Sequence, residues 1–122
     1  MARLVFRSAV VFAFLVALIG TGSAHAVLTH ADPAAHSTIN APPAEVTIDF
    51  SEAVEPRFSS ITVQDARRQR VDTGDVHAAP DDPKRLVVGL KPLQPGIYKV
   101  IWHAVSVDTH TSEGVYVFTV AR

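Results

Sequence analysis

Beyond its first two dozen positions the chain alternates between apolar and polar residues. Glu45-Val46-Thr47-Ile48-Asp49-Phe50 switches at every step, as a strand with one buried face should. Gly114-Val115-Tyr116-Val117-Phe118-Thr119-Val120 closes the chain in a similar way, and Ile97 to Val105 is a longer run of the same kind. Phe58 to Val63 and Arg85 to Leu90 predict two more strands. Val27-Leu28-Thr29 and Arg70-Val71 predict short edge pieces. Turn-forming clusters lie between them: Asp32-Pro33, Ala41-Pro42-Pro43, Asp72-Thr73-Gly74, Ala79-Pro80-Asp81-Asp82-Pro83 and Gln94-Pro95-Gly96. No stretch has helical periodicity, and there is no internal repeat or interdomain linker. The pattern predicts an all-β domain, an antiparallel sandwich or barrel. Val87, Ile97, Val100, Trp102, Val115, Val117 and Phe118 are expected to supply much of its core.

The start of the chain breaks the pattern. Arg3 and Arg7 precede an uncharged, mostly apolar stretch from Val10 to Gly20, and small residues follow. This reads as a secretory signal peptide over residues 1–24. Its apolar core is short for the ~20 residues of a bilayer span. Two cleavage points suit it. Ala24-His25-Ala26 is an A-x-A pattern favouring a cut after Ala26, whereas Gly22 and Ala24 fill the small-residue positions for a cut after Ala24. No second long apolar run follows, so the mature form is expected not to span a membrane and to be periplasmic or secreted.

Composition then narrows the partners. From residue 25 the chain has 98 residues, enough for one small domain. It carries nine Lys and Arg against twelve Asp and Glu, a formal charge of −3, which argues against nucleic acid or an anionic membrane surface as a partner. There is no cysteine, and the only methionine, Met1, belongs to the leader. A metal bound by the mature chain must therefore accept nitrogen and oxygen, which suits Cu(II), Ni(II) or Zn(II) better than Cu(I).

The candidate ligands are few. Asp108 and His110 stand two positions apart, so an extended segment presents both on one face. They suit two ligands of one metal, or a ligand imidazole with its carboxylate orienter. Asp-Thr-His-Thr-Ser also reads as an ordinary polar loop, and D-x-H alone is a weak motif. His25 gains weight from its place. If cleavage follows Ala24, it becomes the first residue and offers a free α-amine and an imidazole, both able to lose protons near neutral pH. Together with His110 that makes three nitrogens, and Asp108 adds an oxygen. Glu52, after Phe50-Ser51, is a candidate to accept a hydrogen bond from a ligand imidazole, or is a solvated loop carboxylate. His30, His36, His77 and His103 read as surface histidines, with His103, in a strand that runs towards the D-x-H segment, the one to watch as a partner behind the ligands. No nucleophile elbow, cysteine nucleophile or phosphate loop is present.

In order, these residues resemble the CopC family of periplasmic copper-binding proteins. The resemblance runs from His25-Ala26-Val27-Leu28 and Asp32-Pro33-Ala34 through Ala41-Pro42-Pro43-Ala44-Glu45-Val46 and Phe50-Ser51-Glu52. It continues through Leu93-Gln94-Pro95-Gly96-Ile97-Tyr98-Lys99-Val100 to Trp102-His103-Ala104-Val105-Ser106-Val107-Asp108-Thr109-His110. It implies an immunoglobulin-like Greek-key β-sandwich or barrel of about seven strands, cupredoxin-like in appearance, over residues 25–122. It also implies tight binding of one Cu(II) by the amine and imidazole of His25 with Asp108 and His110, and Glu52 as a carboxylate behind the ligands. The family's Cu(I) site uses a methionine-rich loop that this sequence lacks. The second histidine that relatives often carry near the start is here Val27. The resemblance makes cleavage after Ala24 the expected cut. The implied role is that of a monomeric, non-enzymatic carrier that sequesters copper or hands it to an inner-membrane transporter of the CopD type. Two other readings stand beside it: a copper-dependent oxidative enzyme of the histidine-brace type, and an immunoglobulin-like interaction module without metal.

Overall fold

The computed structural model describes residues 26–122. The expected leader, residues 1–24, and His25 lie outside the described residues. Among the described residues eight strands form: β1 (Leu28–Asp32), β2 (Thr38–Ile39), β3 (Glu45–Phe50), β4 (Ser60–Gln64), β5 (His77–Ala79), β6 (Asp82–Gly89), β7 (Gly96–Val105) and β8 (Thr111–Val120). They make two four-stranded sheets, ordered β1-β3-β6-β5 and β2-β8-β7-β4. All pairings are antiparallel except the short β2–β8 contact. The expected β-sandwich is therefore the architecture found. No helix of the described residues is long and apolar enough to cross a membrane.

Strand β3 falls where its alternation places it, with Val46, Ile48 and Phe50 buried and Glu45, Thr47 and Asp49 turned away from the core. The core lies between the sheets, among Ile48, Ile61, Val63, Leu86, Val88, Val100 and Phe118, all fully buried. Phe50 of one sheet meets Trp102 of the other edge to face, with ring centroids 5.4 Å apart. This ties the sheets together near the β7–β8 turn. Gly114, paired with Trp102 across the hairpin, makes room for the indole: a Cβ there would lie 2.6 Å from Cζ2.

Several expectations are corrected. Ile97 and Val115 face solvent at 58% and 59% exposure, and Val117 is only half-buried. In β7 the inward parity is Tyr98, Val100, Trp102 and Ala104; in β8 it is Tyr116, Phe118 and Val120. Both parities of these strands carry apolar residues, so local alternation does not say which face turns inward; the opposing sheet does. Phe58 belongs to a 3-10 turn, Pro56–Phe58, and is exposed rather than in a strand. Arg70 and Asp72 make only isolated bridges, to Gln64 and Leu90. Pro83, expected in a turn, lies inside β6. His77, expected in a connection, opens β5.

Candidate metal centre

Strands β7 and β8 run as one hairpin, paired out to Val105–Thr111. Residues 106–110 connect them. Ser106 N–H donates to the His110 carbonyl at 2.9 Å, and Thr109 N–H donates to the Ser106 carbonyl at 2.9 Å. Thr109 takes φ 75°, the left-handed region that a β-branched residue seldom enters. The loop is also stitched to the chain after β3. Val54 bridges Ser106, Val107 N–H donates to the Ala53 carbonyl at 3.1 Å, and Glu55 N–H donates to the Val105 carbonyl at 2.8 Å.

The geometry brings Asp108 and His110 together. Asp108 Oδ2 lies 3.2 Å from His110 Nδ1, with the two side chains 43% and 46% exposed. Ser106, fully buried beneath them, donates its hydroxyl proton to Asp108 Oδ1. The Asp108 carboxyl is held below the usual carboxylate range, first by that hydroxyl and then by the His110 imidazole. A carboxylate that is ionised at neutral pH beside an accessible imidazole offers a cation one oxygen and one nitrogen from the same patch.

The start of the described chain arrives at the same end of the sandwich. Ala26 is fully buried, and its carbonyl accepts a hydrogen bond from Ser112 Oγ at 2.6 Å. Val27 N–H donates to Ser51 Oγ at 2.9 Å, and Ser51 N–H returns a bond to the Val27 carbonyl at 2.8 Å. Position 26 is thus bonded to a residue two places beyond His110. Glu52 sits half-buried in the bend between Ser51, bonded to Val27, and Ala53, bonded to Val107. The structure brings its backbone to the site but gives its carboxylate no hydrogen bond among the described residues.

The other histidines lie elsewhere. His30 is on β1 beside Asp49, whose carboxylate is held by Arg85 at 2.6 Å. His36 occupies a left-handed turn and donates its N–H to the Val117 carbonyl. The His77 ring nitrogen Nδ1 is 2.6 Å from the Asp75 carbonyl. His103, five positions before Asp108, pairs across the hairpin with Glu113 and does not join the Asp108–His110 contact. Sequence reasoning gave no role to Ser106, Ser51, Ser112 or Ala26. For Ser106 a signal was available, because it precedes Asp108 by the same two-residue step that separates Asp108 from His110. The other three act through contacts distant in sequence, which no local pattern reports.

Asp108 and His110 bring one carboxylate and one imidazole to the same patch. Among the described residues no group of three His, Asp or Glu side chains is gathered closely enough to hold a metal ion. Residues 28–121 match the CopC domain. The chain is 42% identical over 98 residues to Protein YobA of Escherichia coli K12, covering 80% of this chain and 79% of that one. It is similar in structure to CopC from Methylosinus trichosporium OB3b, with a TM-score of 0.75 and 34% identity over 80% of this chain and 94% of the other. It is also similar to PcoC, a methionine-rich copper resistance protein from Escherichia coli, with a TM-score of 0.69 and 36% identity over 80% of this chain and 99% of that one. With the family match covering nearly all of the described residues, the chain belongs to the CopC family.

Proposed function

We propose that the processed protein binds Cu(II) through four donors: the α-amine and imidazole of His25, the Asp108 carboxylate and the His110 imidazole. Members of the CopC family handle copper as carrier or resistance proteins and are not enzymes, so the oxidative-enzyme reading is set aside. One observation carries the ligand assignment: the hydrogen bond from Ser112 to the carbonyl of Ala26. Residue 25 is one peptide unit, about 3.8 Å between Cα atoms, from a position held beside the start of β8. The same contact favours cleavage after Ala24. A cut after Ala26 would remove a fully buried residue together with the acceptor for Ser112.

Cu(II) is favoured over Cu(I) because no sulfur ligand remains after the leader. The four donors are the nitrogen and oxygen set that Cu(II) accepts in tetragonal geometry. Protons compete with the metal for such nitrogen and oxygen donors, so affinity falls as pH drops. Glu52 lies in the bend adjoining the loop and is proposed as the carboxylate behind the ligand imidazoles. In this role the protein is exported to the periplasm and acts as a monomer. It sequesters Cu(II) or passes it by ligand exchange to an inner-membrane transporter of the CopD type.

The test is competitive Cu(II) titration of the exported protein and of its His25→Ala, Asp108→Ala and His110→Ala variants. Each substitution is expected to weaken binding by about tenfold or more, since losing even a group behind the ligands costs that much. Unchanged affinity in all three would return the protein to the reading of an interaction module without metal.

A further inference from the structure

We propose that Ser106 is a positioning residue of the copper site, holding Asp108 so that it offers copper one oxygen rather than two. The inference rests on the reading that Asp108 and His110 are ligands. Ser106 is fully buried, yet its backbone and side chain are engaged on every side. Its N–H donates to the His110 carbonyl, its carbonyl accepts from Thr109 N–H, and it bridges Val54. The hydroxyl has a single proton, and the nearer acceptor is Asp108 Oδ1; the His110 carbonyl is 3.2 Å away. The carboxylate is the closer and the charged acceptor of the two, and a hydrogen bond to a charged group is the stronger one.

The consequence falls on the carboxylate. Oδ1 is taken by Ser106 and lies 3.4 Å from His110 N–H. Oδ2 faces the imidazole, 3.2 Å from Nδ1. Asp108 therefore keeps Oδ1 in two hydrogen bonds and turns Oδ2 alone toward the imidazole nitrogen, where a cation would meet it. Ions that favour two oxygens of one carboxylate, such as Ca²⁺, lose that option. A tetragonal Cu(II) centre, which takes one donor per position, does not. Ser106 thus acts on the choice of metal as well as on the strength of binding. Thr109 in the left-handed region is part of the same device. The bonds converging on Ser106 hold the loop in a turn that its sequence disfavours.

The experiment compares the exported protein with Ser106→Ala, Ser106→Thr, Asp108→Ala and the Ser106→Ala/Asp108→Ala pair, by Cu(II) competition titration and electron paramagnetic resonance. Ser106→Ala is expected to weaken Cu(II) binding by about tenfold or more and to change the Cu(II) spectrum, while Ser106→Thr, which keeps the hydroxyl, restores both. In the Asp108→Ala background the Ser106→Ala change should cost nothing further. An unaltered affinity and spectrum in Ser106→Ala, with binding lost in Asp108→Ala, overturns the positioning role and leaves the ligand assignment standing. Binding unaffected by Asp108→Ala overturns the ligand assignment itself. A loss of equal size in both backgrounds also overturns the proposal, because Ser106 would then act through general loop stability. If Ser106→Ala does not fold, the Thr variant decides: a folded Ser106→Thr protein that has lost Cu(II) affinity refutes the role of the hydroxyl.

Discussion

Ser112 Oγ and the carbonyl of Ala26 are joined at 2.6 Å across 86 positions of sequence. This bond fastens the first described residue to the strand that follows the D-x-H loop. Ser112→Ala leaves a buried carbonyl without its donor, which should lower stability by about 1–3 kcal/mol. It should also weaken Cu(II) binding, because the start of the chain is released from the loop. Chemical denaturation and copper titration of the same variant check both, and normal copper affinity in a destabilised protein would separate the bond from the site.

Intact mass of the exported protein is expected to correspond to a chain starting at His25. A version starting at Val27 lacks two proposed donors and a buried alanine. Its Cu(II) affinity should fall by about a hundredfold or more, and its melting temperature should fall as well. A mature start at Val27 with tight Cu(II) binding would refute the ligand assignment.

The Asp49–Arg85 pair sets part of the acid limb of stability. Hydrogen bonding to Arg85 holds the Asp49 carboxyl below its usual range, against a smaller opposing effect of burial. A carboxyl depressed in the folded state stabilises above its unfolded value, near 3.9, and loses that contribution as pH falls through the lower folded value. Asp49→Asn should therefore reduce stability at pH 7, with the difference from wild type shrinking below about pH 4. Melting temperatures measured from pH 2 to pH 7 test this, and a difference independent of pH would refute it.

Gly114→Ala should be disproportionately damaging for the addition of one methyl group. The new methyl meets the Trp102 indole at 2.6 Å, so the ring must move and its edge contact with Phe50 must change. Overpacking of this kind costs about 1–3 kcal/mol. Tryptophan fluorescence should shift along with the loss, since the chain has one tryptophan.

Tyr116 has a buried hydroxyl with no hydrogen-bond partner among the described residues. Burial, aided by Asp32, pushes its phenol well above the usual value. Tyr116→Phe removes the unpaired group and keeps the ring, so it should be neutral or stabilising, by up to about 1 kcal/mol. A clear loss in denaturant midpoint would mean that the hydroxyl has a partner in solution.

Local chemistry determined a good deal by itself. The strict alternation of Glu45 to Phe50 placed a strand and its buried face. The absence of cysteine and of methionine beyond Met1 defined which donors a metal could find; the D-x-H pair could be picked out as well, but its two side chains meet through the turn at Thr109 and not along an extended run. These properties depend on residue identity or on the period of an extended backbone, and both survive without a fold. The tertiary structure decided the rest. Ile97 and Val115 look like core residues in sequence, but the second sheet packs against the other parity, where Trp102, Val100 and Phe118 point. Ser106 became the buried support of Asp108 because Val54 and Ala53 cover its loop from another part of the chain. Position 26 came to lie beside β8 because β1 pairs with β3 and the two sheets then close over Ala26. Each of these depends on contacts between segments far apart in sequence, and only packing of the whole domain chooses among them.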